Sequence, residues 1–139
     1  MKKNKLKLKY NPTPLAAALY LILILLVFVV FMGRTYTAIR PSWVNPEFFT
    51  HISNFAISFF LTTIWGYMSV LGSGNLKAAA ILSLLMITAN YIYELWIPVI
   101  NTCDIVDAHY SFVGVVFAFI FVVYVKFKGI KPNPDYKKV

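Results

Sequence analysis

The sequence predicts an all-α integral membrane protein, a four-helix transmembrane bundle with both termini cytoplasmic. Three observations predict it. Of 139 residues, 60% are hydrophobic and only 13% charged, against roughly half and a quarter in an average soluble domain. The apolar residues gather into four runs, each near the roughly 20 helical residues that cross a bilayer. The basic residues collect on one set of connections. Residues 1–139 read as one membrane domain, with no room for a second folded unit. Cys103 has no second cysteine to pair with, so no internal disulfide forms. It also lacks the cysteine partners of a metal-ligand spacing, and the sequence assigns no metal and no cofactor.

A basic tail comes first. Residues 1–13 carry Lys2, Lys3, Lys5, Lys7 and Lys9 and no acid. Pro12 and Pro14 mark entry to helix 1, where the first turn has no use for a proline N–H. Helix 1 spans about residues 14–32. It follows a Lys-rich start, as a signal peptide would, but its uncharged run exceeds an h-region of roughly 7–15 residues. No A-x-A-like cleavage site follows it, so it is read as a retained helix. Its polar content is little more than Tyr20, and it is expected to face lipid on most sides.

The first loop, residues 33–50, holds Arg34, Arg40, Trp43 and Glu47. Its Trp and Tyr suit a membrane–water interface, along which the stretch Pro41 to Phe49 could lie. Helix 2 spans about 50–71 and closes at the tight turn Gly72-Ser73-Gly74-Asn75. Helix 3 spans about 77–97, before Pro98. Helix 4 spans about 104–125. Residues 126–139 form a second basic tail, with Lys126, Lys128, Lys131, Lys137 and Lys138 against a single Asp135.

The two tails hold ten lysines and the Gly72–Lys77 turn one more, whereas the opposite connections hold only Arg34 and Arg40. Lys and Arg favour the cytoplasmic side, which puts both termini there and the first loop and the Glu94–Asp107 turn outside. The membrane is read as a bacterial cytoplasmic membrane. Beside four apolar helices, basic tails signal topology and contact with anionic lipid head groups rather than nucleic acid.

The polar residues are few and placed in a pattern. Glu94 lies 17 residues past Lys77, about 25 Å along helix 3 at ~1.5 Å per residue. Asp107 lies 19 residues before Lys126, about 28 Å along helix 4, and His51 21 residues before Gly72, about 31 Å along helix 2. All three reach the outer edge of a core about 30 Å thick. Residues three and four apart share a helix face. Helix 2 then shows His51, Asn54, Ser58 and Thr62 on one face, helix 3 Ser83, Asn90 and Glu94, and helix 4 Asp104, Asp107, Ser111 and Gly114. Helix 1 shows no such stripe. Polar groups facing lipid are costly, so helices 2, 3 and 4 are expected to turn these stripes toward one another. The candidate site is His51, Asn54, Asn90, Glu94, Asp104 and Asp107, covered by Arg40 or Arg34. His109 falls off the stripe. Asp104 also has the form of an N-cap.

Several chemistries suit this set. Glu94, Asp104 and Asp107 offer oxygen ligands to a hard cation, although their spacing matches no EF-hand loop. His51 beside a carboxylate suits acid–base work, which would make the protein a membrane-embedded hydrolase or transferase. Arg40, Arg34 and His51 suit a phosphate or carboxylate head group. The same residues could instead only lock helices together in a subunit of a larger membrane complex. Proton or ion transport fits least, because helices 1, 2 and 4 carry no charge near the midplane.

One pattern resembles a known family. A His opens one membrane helix in His51-Ile52-Ser53-Asn54-Phe55. A Glu nears the end of the next in Tyr93-Glu94, a turn contains Pro98, and then come Asp104-Ile105-Val106-Asp107 and Gly114. This is similar to the VanZ-like family of small bacterial membrane proteins over roughly residues 45–125. The family often has an Arg before the Asp pair; here the stretch reads Asn101-Thr102-Cys103, and Arg40 could supply that charge. The resemblance implies association with the cell envelope and with resistance to glycopeptide antibiotics of the teicoplanin type. It is consistent with an outer-leaflet pocket that binds an envelope or lipid-linked ligand.

Overall fold

Prolines, cap residues and glycines set the helix ends. The computed structural model describes residues 8–97 and 104–136. Pro98, Asn101, Cys103 and the outermost lysines of both tails lie outside them. Helix α1, Pro14–Met32, starts at Thr13, whose hydroxyl accepts the Ala16 N–H at 3.2 Å, with Pro14 in the first turn. A 3₁₀ turn, Thr37–Ile39, interrupts the loop that follows. Helix α2, Pro46–Ser73, starts at Asn45, whose side chain accepts the Glu47 N–H at 3.0 Å. It ends at Gly74, with φ of 71°, a left-handed conformation that glycine adopts without strain. Helices α3, Lys77–Trp96, and α4, Ile105–Lys128, complete the set. Each of the four is long and apolar enough to cross a membrane.

Helix α2 begins some four residues before the expected start. Pro46 and the Asn45 cap provide that extra turn, so Glu47, Phe48 and Phe49 are helical rather than part of an interfacial loop. Trp43 stays in the loop and is highly exposed. Helix α4 runs three residues beyond its expected end, with Lys126 and Lys128 in its last turn, where cations suit the helix dipole.

A larger difference lies in the tails. Strand β1, Tyr10–Pro12, pairs antiparallel with strand β2, Ile130–Pro132, with Asn11 opposite Lys131. Asn133 extends the pairing by donating from its side chain to the Leu8 carbonyl at 2.8 Å. The two basic tails therefore meet in a clasp. The Tyr10 ring packs directly over Gly74, so the clasp also closes against the α2–α3 turn.

The most extensive helix packing is between α2 and α4, with α3 against both and α1 at the edge. Gly114 of α4 lies against the Phe55 backbone of α2, and a Cβ there would collide with the Phe55 carbonyl oxygen. Such small residues let helices approach closely in lipid. Toward the clasp end, Tyr67, Val70, Val122 and Val125 form an apolar core with Ala16, and Tyr20 stacks on Tyr67 at 4.5 Å. Apart from such contacts α1 is peripheral: only Ala16 and Val27 of it are buried. Its apolar residues point outward on nearly every side, as expected of a lipid-facing helix.

Candidate functional site

The polar stripes of α2, α3 and α4 do face inward. Ser58, Thr62, Ser83, Glu94, Asp107 and Ser111 are all buried. They join in pairs down the bundle. Ser111 donates to the Asn54 carbonyl at 3.4 Å, which ties α4 to α2. The Asn90 amide donates to the Ser58 hydroxyl at 3.2 Å and to the Met86 carbonyl at 2.8 Å, which ties α3 to α2. The Thr62 and Thr63 hydroxyls are buried and have no partner among the described residues.

The charged residues gather at the end opposite the clasp. His51 sits in the second turn of α2, just past the turn that Pro46 and Asn45 add. Its Nδ1 lies 2.7 Å from Asp107 Oδ1 and 3.7 Å from Asp104 Oδ2. A Nδ1–H tautomer donates to Asp107, which leaves Nε2 as the ring's unprotonated nitrogen. Asp104 is the N-cap of α4 and uses its Oδ1 to accept the Val106 N–H at 2.9 Å. Glu94, only 6% exposed, accepts the Asp104 N–H at 3.2 Å through Oε2. It fastens the end of α3 to the start of α4. The hydrogen bond shown for Asn54 uses its backbone carbonyl.

The two arginines of the first loop serve other partners. Arg40 donates from Nε to the Gly33 carbonyl at 2.6 Å and from Nη2 to the Arg34 carbonyl at 2.8 Å. Its guanidinium stacks 5.1 Å from the Phe49 ring. It satisfies carbonyls at the exit of α1, groups that a helix end leaves without partners, rather than covering the carboxylates. Arg34 donates to the Ser53 hydroxyl. Among the described residues, no Lys or Arg forms an ion pair with Glu94, Asp104 or Asp107, and His51 is the one cationic partner seen.

Sequence reasoning missed the aromatic surroundings. Tyr110 lies 5.3 Å from His51, ring to ring, and Phe48 lies 5.9 Å from Tyr110. Both line an almost wholly apolar groove of about 580 Å³ between α1, α2 and α4. Leu26, Ile52, Phe55 and Phe117 continue its walls. His109 lies off the polar stripe, exposed, with its ring 5.9 Å from Tyr91, and it also borders the groove. The adjacency of Phe48 and Tyr110 to charged positions was visible in the sequence. The groove was not, because it depends on how far α1 leans from α4.

The geometry can orient an imidazole, hold a small cation or bind a polar head group beside an apolar chain. No protein-family model, curated protein or solved structure matches this chain.

Proposed function

We propose that the protein binds an amphiphile, a lipid-linked or other cell-envelope compound, with its head group at the His51–Asp107 cluster and its hydrocarbon chain in the adjoining groove. One observation carries this reading: Tyr110 belongs to both places, its ring tilted 5.3 Å from His51 and lining the groove. A site with a polar end and an apolar trough has the shape of an amphiphile. In this reading the protein is a VanZ-like multi-pass protein of a bacterial cytoplasmic membrane. Its termini lie inside, its clasp lysines meet anionic head groups, and its site opens at the outer leaflet. The excess of lysine near the clasp, against Arg34 and Arg40 at the other end, supports that orientation.

Native mass spectrometry of protein purified in mild detergent tests the binding. A retained lipid of defined mass is expected, lost when Phe117→Trp fills the groove and when Asp107→Asn alters the head-group end. Retention of the same lipid by both folded variants overturns the reading. For orientation, a cysteine at Lys138 in a Cys103→Ser background should react with an impermeant maleimide only after cells are opened.

An enzymatic reading has its own support in the 2.7 Å approach of His51 to Asp107, which would orient the imidazole as a base. Turnover of the retained lipid, abolished by His51→Gln while binding persists, would establish it.

A further inference from the structure

We infer that His51, Asp104 and Asp107 hold a divalent transition-metal cation. This goes beyond amphiphile binding and stands whether or not a lipid occupies the groove. Three donor atoms converge, one from each residue, all within 4.8 Å of one another. Hydrogen bonding accounts for only part of that convergence. An imidazole Nδ1 carries one proton at most, and Asp107 Oδ1 at 2.7 Å takes it. Asp104 Oδ2 faces the same nitrogen at 3.7 Å with no proton left to share. Its other oxygen is already occupied in capping Val106, so Oδ2 is held in place with no hydrogen bond among the described residues.

A cation would serve all three atoms together, with the ring proton moving from Nδ1 to Nε2 so that the Nδ1 lone pair is free to bind it. Bonds of about 2.0–2.2 Å to nitrogen and oxygen place neighbouring ligand atoms roughly 3.0–3.5 Å apart. The 2.7 and 3.7 Å separations from His51 bracket that range, and with all three atoms within 4.8 Å of one another an ion would draw the two aspartate oxygens together.

Charge points the same way by an independent route. Glu94 and Asp107 are each more than nine-tenths buried, and Asp104 adjoins both. Three carboxylates gather beside one imidazole, neutral in the Nδ1–H tautomer, and among the described residues no Lys or Arg offsets their negative charge. Buried charge without a partner is costly, and a divalent ion relieves it.

The donor set selects the class of metal. Ca²⁺ and Mg²⁺ take oxygen ligands, whereas imidazole with carboxylates suits zinc and its first-row neighbours. Glu94, which the sequence grouped with the two aspartates, is not among the converging donors. It hydrogen-bonds the Asp104 backbone instead and so steadies one ligand. Three protein ligands leave a coordination position open. Asp104, whose side chain is 36% exposed, marks the side from which an outside ligand would reach it.

Zinc alone provides the test, added to untagged, chelator-stripped protein in detergent. Calorimetry and metal analysis should give one zinc per chain, and zinc should raise the melting temperature. Asp104→Asn keeps a favoured N-cap residue, so the fold survives while one carboxylate is lost; affinity should fall at least ten-fold. His51→Gln should do the same. Wild-type protein that melts cooperatively yet takes up no stoichiometric zinc would overturn the assignment. So would unchanged affinity in both variants, or loss of the ion on His109→Ala instead.

Discussion

His51 and Asp107, 56 positions apart in the chain, meet at 2.7 Å across the α2–α4 interface. This is the shortest charged contact of the cluster, and it lies where both side chains are largely shielded from solvent. Removing either partner strands the other. A double-mutant cycle of His51→Ala and Asp107→Ala, read by thermal unfolding in detergent, should give a coupling of about 1–3 kcal/mol. A coupling near zero would mean that the two side chains do not sense each other.

Gly114 lies where α4 touches the Phe55 backbone. The obstacle to a larger residue is main chain, which cannot rotate away. Gly114→Ala should therefore destabilise the bundle by about 1–3 kcal/mol, with a lower melting temperature. Gly72, with open space around its Cα, provides the contrast: Gly72→Ala should cost far less.

Thr62 and Thr63 bury hydroxyls that lack partners among the described residues. An unsatisfied buried polar group costs about 1–3 kcal/mol. Replacing either by the near-isosteric Val should leave stability equal or raise it by about 1 kcal/mol. A clear loss of stability in both variants would show that the hydroxyls are bonded in the protein.

Arg40 braces the exit of α1 through the Gly33 and Arg34 carbonyls. Arg40→Ala should lower the melting temperature, with a cost of about 1–3 kcal/mol for the orphaned carbonyls. It should leave zinc and lipid retention as they are. Loss of either would return Arg40 to the site.

Helix number and the inward turn of the polar stripes were legible in the sequence, because apolar length and a spacing of three to four are direct records of bilayer thickness and helix geometry. The register of the stripes was legible as well: His51, Glu94 and Asp107 were counted to one depth, and they do gather at one end. Arg40 was misplaced because charge alone suggested a carboxylate partner. A helix C-terminus competes for the same donor, and nothing local in the sequence says which acceptor wins. The β1–β2 pairing was illegible for a similar reason. Three-residue strands containing Pro12 and Pro132 have no periodicity to read, and their pairing links segments more than a hundred residues apart.

Asn11 sits opposite Lys131 in that pairing. Directly opposed residues have Cα atoms about 4.5–5.5 Å apart, within the roughly 4.4–6.8 Å that a disulfide spans. With Cys103→Ser as background, Asn11→Cys and Lys131→Cys together should form an intramolecular disulfide under mild oxidation, seen as a mobility shift reversed by reductant. Absence of the crosslink would dissolve the clasp.

The clasp also imposes an order on biogenesis. Strand β1 precedes all four helices in the chain and β2 follows them. Their bonds can form only after α4 has been made. An odd number of inserted helices would leave the ends on opposite faces of the bilayer, with no means of meeting. If the four helices cross a bilayer as proposed, closure of the clasp, with Tyr10 settling onto Gly74, would record that they had done so with the correct parity.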